Sequence, residues 1–421
     1  MVTDSVDPDV ARELERTGGA ELVVGVIAYN SGRSVRRVVE AAAAAAASYY
    51  PERRVVIAVV DGGSRDGTVE AARGAAGRCP LVVIPQAART LARLGSDAGP
   101  PGKGGGLRTA LTAAAALGAA GCAVVDADVA TITPEWVRRL FQPVLEQGLD
   151  LVAPLYARHK YDGMLTSFLV YPLTRALYGR RLRQPVGGHF GFSGALARRL
   201  VAGGAWEGAA IRYRRDLWVT TKALADGLPV GQAALGPGRR GAREPEAGLA
   251  QAFSEVVGTA FSLMEEYRPA WRAVVETADV PCTGDPPVVG TEPVSVNVDR
   301  MIATFRQAAA DLVPVWRRML AADTCAAVLE LAADSEEAPR FPASLWARVV
   351  YDGAAAHHAR LLPRGQLLRA LIPLYLGCAA AYVLETADGD GRQAEARVEA
   401  ACIAFEAGKA YLLDRWDARR A

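Results

Sequence analysis

The pattern of apolar and polar positions changes character once along the chain, near residue 247. Before that point, short runs of aliphatic and β-branched residues alternate with stretches of helical periodicity. Leu22–Ala28 is an apolar run, Ser34–Tyr50 an alanine-rich helical stretch, and Arg54–Val60 a second strand-like run that ends in Asp61-Gly62-Gly63-Ser64. A helix is predicted to open near Asp66-Gly67-Thr68, and Leu81–Ile84 reads as a third strand. Gly104–Leu117 reads as a helix behind the Gly/Pro-rich segment Gly99–Gly106, and Gly121–Val125 as a short buried strand running into Asp126-Ala127-Asp128. Such alternation predicts an α/β domain with a mostly parallel, Rossmann-like sheet, and ligands of such sheets sit beyond the C-terminal strand ends. Leu151–Leu155 is a further strand, followed by a polar loop, a helix and Gln184-Pro185-Val186-Gly187-Gly188, whose glycine pair permits close backbone approach. From Ala247 strand signals give way to long helical periodicities, broken at Pro281–Pro293 and Asp388–Gly391. The expected organisation is a flexible leader (1–20), an α/β domain (21–246) and an all-helical C-terminal domain (247–421).

Composition narrows the classes. Hydrophobic residues make up 51% and charged residues 22% of 421, with a formal net charge of +2, which excludes a disordered chain. Basic residues are scattered and nearly balanced by acids, so no nucleic-acid partner is expected. The six cysteines have no CxxC pair and no zinc-like spacing, which suits a reducing cytoplasm. The N-terminus lacks the basic start and apolar run of a signal peptide. The most membrane-like run, Leu367–Leu384, carries Arg369 and Pro373 and reads as a buried core helix, so no membrane association is expected. Only four of the 48 basic residues are lysines, which makes Lys103 more noticeable.

Three constellations carry candidate chemistry. Asp126 and Asp128, at i and i+2 where a buried strand emerges, can share one Mg²⁺ or Mn²⁺ and so offset the charge of a diphosphate; the plain alternative is a chance triplet in a turn. Pro100-Pro101-Gly102-Lys103-Gly104-Gly105-Gly106 opens a helix, and glycines, a helix N-terminus and a lysine together suit phosphate oxygens. The spacing is not that of a P-loop, and the alternative is a surface turn. Asp61, with Ala28-Tyr29-Asn30-Ser31 after the preceding strand, can accept a hydrogen bond from a base or ribose; Ser64 and Asp66 read equally well as a helix cap and turn cluster.

Taken together, Asp61-Gly62-Gly63-Ser64, Pro101-Gly102-Lys103-Gly104, Asp126-Ala127-Asp128 and Gln184-Pro185-Val186-Gly187-Gly188 resemble the GT-A-fold, nucleotide-sugar-dependent glycosyltransferases. Within them the resemblance is to the retaining glucosyl-3-phosphoglycerate and mannosylglycerate synthases, over about Leu22 to Phe261. It implies that Asn30 and Asp61 lie against the nucleoside, Lys103 near the diphosphate, and Asp126 and Asp128 at the metal. It also implies that the Gly187-Gly188 backbone faces the donor sugar or acceptor, that Arg158 and Lys160 meet an acceptor carboxylate or phosphate, and that Asp216 lies near the sugar and acceptor. The implied activity is hexosyl transfer, with retention, from a UDP- or GDP-sugar to a small hydroxylated or anionic acceptor. Lys103 and the metal would supply the electrostatic term, and a homodimer is the expected assembly.

Two departures stand out. The family commonly has an acid after the glycine pair, where this chain has His189, and a metal-binding histidine where it has Arg240. Arginine offers no lone pair to a metal. Three outcomes stay open: Arg240 takes over part of the cation's role on the diphosphate, His189 joins the metal or acceptor contacts, or the site is degenerate. Two rival functions follow: a sugar nucleotidyltransferase, which lacks support from a Gly-rich signature after the first strand, and a non-catalytic nucleotide-binding or partner protein of the same fold.

Overall fold

The computed structural model describes residues 8–85, 103–202, 206, 214–238, 248–285, 294–333 and 340–418. The apolar runs become strands: β1 Leu22–Ala28, β2 Val55–Asp61, β3 Leu81–Pro85, β4 Gly121–Asp126, β5 Leu151–Ala157, β6 Phe190–Ser193, β7 Val230–Pro237 and β8 Cys282–Thr283. They form one sheet in the order β3-β2-β1-β4-β6-β5-β7-β8. β6 runs antiparallel to β4 and β5, whereas the other pairings are parallel. Every residue of β1, β2 and β4 is buried, as befits central strands covered on both faces. Glycine sets how closely one helix lies on β1. A Cβ on Gly25 would come within 2.7 Å of Ala110 Cβ, and one on Gly106 within 2.5 Å of Ile27 Cγ2, so the helix Lys103–Ala116 rests flush on the strand.

The chain divides into two compact units. The sheet unit is Met1–Ala157, Val186–Arg243 and Val280–Val288; the helical unit is Arg158–Pro185, Glu244–Asp279 and Val289–Ala421. This division differs from a single boundary at 246/247 in two ways. Arg158–Pro185 belongs with the helices because its apolar side chains find their partners there: Phe168 packs on Tyr382 with ring centroids 4.3 Å apart, and Trp346 Nε1 donates to the Phe168 carbonyl at 2.7 Å. Val280–Val288 returns to the sheet because Cys282–Thr283 pairs with β7. The expected flexible leader is corrected too. Pro8–Thr17 is a helix whose Val10 and Leu14, one turn apart on one face, are buried.

Within the helical unit, Arg364–Glu385 is long and apolar enough to cross a membrane, but 78% of its most apolar window is buried in the protein. Gly377 lets it press against Phe305, whose ring a Cβ at 377 would meet at 2.9 Å. It is a core helix, and no other described helix meets the same length and hydropathy test.

Candidate active site

Register brings the sequence candidates of three strands to one edge. Ala28 pairs with Asp61 and Ile27 with Asp126, so β1, β2 and β4 end together. The loop after β1 turns through Asn30, which adopts a left-handed conformation (φ 46°). Its backbone N–H donates to Ser64 Oγ at 2.8 Å, and its Oδ1 accepts from the Arg65 N–H at 3.1 Å. Asp61 is buried and receives three groups of its own turn: Ser64 Oγ at 2.5 Å and the backbone N–H groups of Gly63 and Ser64, each at 3.1 Å to Oδ2. The turn role foreseen for Ser64 and Asp66 thus extends to Asp61. Asp66 accepts from Thr68 Oγ1 and from the Gly32 N–H (2.8 Å), contacts that hold its carboxyl below the usual carboxylate range, Thr68 contributing most. Thr68 Oγ1 in turn accepts from the Ser31 N–H at 2.8 Å. The loops after β1 and β2 are therefore tied into one preformed shelf. Tyr29, half-exposed beside Gly62 on that shelf, offers an aromatic face that the sequence reading left without a role; its only signal was the aromatic beside Asn30.

At the end of β4, Asp126 is buried and Asp128 partly exposed, with Ala127 between them held by a hydrogen bond from its N–H to the Ile27 carbonyl at 2.9 Å. Among the described residues no group of three or more His, Cys, Asp or Glu side chains gathers to hold a metal. Two carboxylates still suit a hard cation such as Mg²⁺, which keeps several waters and completes its shell with phosphate oxygens. Lys103 is the first residue of its helix; Pro101, Gly102 and Arg240 lie outside the described residues. Gly106, the last residue of the Gly-rich segment, has a packing reason in its contact with Ile27.

Several of the expected ligand residues make contacts within the protein. A Cβ at Gly187 would come within 2.7 Å of Pro154 Cγ, so the close approach this glycine permits is to β5; Gly188 beside it is half-buried. His189, expected among the acceptor contacts, is a core residue: its Nδ1 is hydrogen-bonded to the Tyr156 hydroxyl and its ring lies 5.4 Å from Trp136. Lys160, also expected at the acceptor, donates from Nζ to the carbonyls of Thr386 (2.6 Å), Ala387 (3.1 Å) and Gly389 (2.8 Å). These lie at the end of Arg364–Glu385, where unpaired carbonyls attract a cation, and they use all three ammonium donors. Arg158 sits 3.9 Å from Asp162 and, like Lys160, belongs to the helical unit. Asp216 belongs to the sheet unit, in the first turn of the helix Arg215–Ala225, and Arg214 grips both of its oxygens, with Nε to Oδ1 at 2.9 Å.

The family model for glycosyl transferase family 2 matches residues 23–202, from β1 to the helix that follows β6. Over this stretch the chain matches a family 2 glycosyltransferase domain. The chain thus carries a nucleotide-sugar glycosyltransferase of the GT-A fold, with the mostly parallel sheet described above. Glucosyl-3-phosphoglycerate synthase from Mycobacterium tuberculosis is among the similar solved structures. Its complex with Mn²⁺, UDP and glucosyl-3-phosphoglycerate is 23% identical, with 60% of this chain and 83% of that chain covered and a TM-score of 0.45. Its complex with Mn²⁺, UDP-glucose and phosphoglyceric acid is 22% identical, covering 61% and 84%, also with a TM-score of 0.45. No curated protein matches the chain. In this transferase domain the shelf after β1 and β2 and the carboxylates after β4 occupy one strand-end edge, where sheets of this class take their ligands.

Proposed function

We propose that the protein transfers a hexosyl group, with retention at the anomeric carbon, from a UDP- or GDP-sugar to a small hydroxylated or anionic acceptor such as glycerate, phosphoglycerate or a secondary-metabolite precursor. The observation that carries this reading is the shared register of β1, β2 and β4, which sets Asn30, Asp61 and Asp126 at one edge of a family 2 transferase domain. Asn30 and Asp61 would shape the nucleoside seat through the turns they hold, with Tyr29 beside them. Asp126 and Asp128 would hold Mg²⁺ or Mn²⁺, a cation that offsets the charge gathering on the departing diphosphate. Lys103, at a helix N-terminus, and Arg240 would add positive charge to the same oxygens. Asp216 would orient the acceptor hydroxyl or stabilise the sugar cation, its charge held in place by Arg214. Gly187 and Gly188 would lend backbone to the sugar side of the seat. A cytoplasmic homodimer goes with this reading; six free thiols suit the compartment, and light scattering of the purified chain checks the assembly.

The test is release of nucleotide from UDP- and GDP-hexoses across a panel of anionic and neutral acceptors. Acceptor-dependent release that falls about 10²- to 10³-fold in Asp126→Asn and Asp128→Asn supports the proposal. Nucleotide binding without release or transfer across the panel overturns it in favour of a non-catalytic relative.

A further inference from the structure

The sheet unit contains a buried cation whose counter-charge is missing from its described surroundings. Arg215, first residue of the helix Arg215–Ala225, is 7% exposed, and its Nε and Nη1 reach no hydrogen-bond partner among the described residues. Three residues on, Trp218 is fully buried and its indole Nε1 also has no partner among the described residues. Trp206 links the two, with its ring 6.0 Å from the Arg215 guanidinium carbon and packed edge-on against Trp218 at 4.8 Å. A second positive charge stands close by. Arg108 comes from the helix Lys103–Ala116, which packs against Arg215–Ala225. Burial first, and then the charge of Arg108, pull the Arg215 guanidinium down to about 10, still charged at neutral pH.

Burying an unmatched guanidinium is costly, and chains normally bury one only with an acceptor. All the open groups here are donors, so the missing partner must bring lone pairs. Two guanidinium charges call for more than one negative charge, and Arg215 stands in the first turn of its helix, where the helix dipole adds partial positive charge. A planar guanidinium with both Nε and Nη1 open also suits an oxyanion with several oxygens better than a single acceptor atom.

We propose that Arg215, Arg108 and the Trp218 indole N–H form a binding site for a phosphate dianion, supplied either as free phosphate or as a phosphate monoester. The site shares no residue with the paired carboxylates of β4, and its existence does not depend on which sugar the protein transfers.

Thermal unfolding of the full chain tests it, in phosphate-free buffer and with added inorganic phosphate, glycerol 3-phosphate, glycerol or UDP. Phosphate or glycerol 3-phosphate, but not glycerol, should raise the wild-type Tm with concentration, because a ligand of the folded state stabilises it by mass action. A response to both assigns the free oxyanion; a response to glycerol 3-phosphate alone assigns the monoester. Arg215→Met should keep the wild-type Tm without phosphate, since it removes an unmatched charge, and should weaken phosphate binding by at least about tenfold. Trp218→Phe should weaken it by about fivefold, the worth of one hydrogen bond, and Arg108→Gln should also lower affinity while leaving the buried guanidinium in place. A wild-type Tm indifferent to phosphate and to glycerol 3-phosphate would overturn the proposal, as would an Arg215→Met protein that loses stability without phosphate yet keeps its phosphate response. An unchanged UDP response in Arg215→Met separates this site from the donor site, so loss of the phosphate site leaves the transferase reading standing.

Discussion

Two buried arginines, one in each unit, differ in what surrounds them. Arg175, in the helical unit, is 1% exposed, and its guanidinium is fully matched: it donates to Glu399 at 2.6 and 2.9 Å and to Glu406 at 2.9 and 3.1 Å. Burial works against its charge, but Glu399 and Glu406 outweigh burial and hold it above the ordinary arginine range. Glu399 is held below the usual carboxylate range in return, chiefly by its hydrogen bonds to Arg175. Arg215, in the sheet unit, has Nε and Nη1 open among the described residues and is pulled down instead. The difference separates charges that hold the fold from charges that await a ligand: a structural cation carries its counter-charges on the same chain. Lys160, with three carbonyls around its ammonium, falls on the structural side.

The largest effect expected from this contrast is on stability. Arg175→Met removes four charge-assisted hydrogen bonds, to Glu399, which is half-exposed, and to Glu406, which keeps Thr277, and should cost about 2–4 kcal/mol in chemical denaturation. The same variant should change the acid limb. A carboxyl with a depressed folded pKa adds stability above its unfolded value and loses it as pH falls through the folded value. The wild type should therefore lose the Glu399 contribution as pH drops below the ordinary glutamate range, and Arg175→Met should lack that loss. Unchanged stability in the variant would break the contrast. On the ligand side the signature reverses. Asp126→Asn and Asp128→Asn should lower transfer about 10²- to 10³-fold while chemical denaturation changes little, and equal losses of stability and activity would place these carboxylates with Arg175. The smallest expected effect is at Lys160→Met, about 1–2 kcal/mol through the freed helix-end carbonyls, with no change in acceptor KM. A raised KM at unchanged stability would restore Lys160 to the acceptor.

The strands were legible because central parallel strands, buried on both faces, write uninterrupted apolar runs, and β1, β2 and β4 do so to within a residue. The carboxylates at the end of β4 were legible for the same reason, since the end of such a run marks the strand's exit. What escaped depends on partners distant in the chain. Val10 and Leu14 are too few to announce a buried helix, and Phe168 gives no local hint that Tyr382 and Trp346 will draw its segment into the helical unit. Gly187 and His189 have the small and polar character of a ligand loop, yet Pro154 and Tyr156 of β5 decide what they touch. Arg215 escaped because the acid beside it drew the attention: nothing in Arg214-Arg215-Asp216 says that one arginine binds the carboxylate and the other is buried without it.

Calorimetric titration of the purified chain with UDP and with GDP, each with and without Mg²⁺ or Mn²⁺, tests the central claim most directly. The account predicts tight binding of one nucleotide, strengthened by the metal in the wild type and no longer metal-dependent in Asp126→Asn and Asp128→Asn. Absence of binding by either nucleotide, with or without metal, would contradict it.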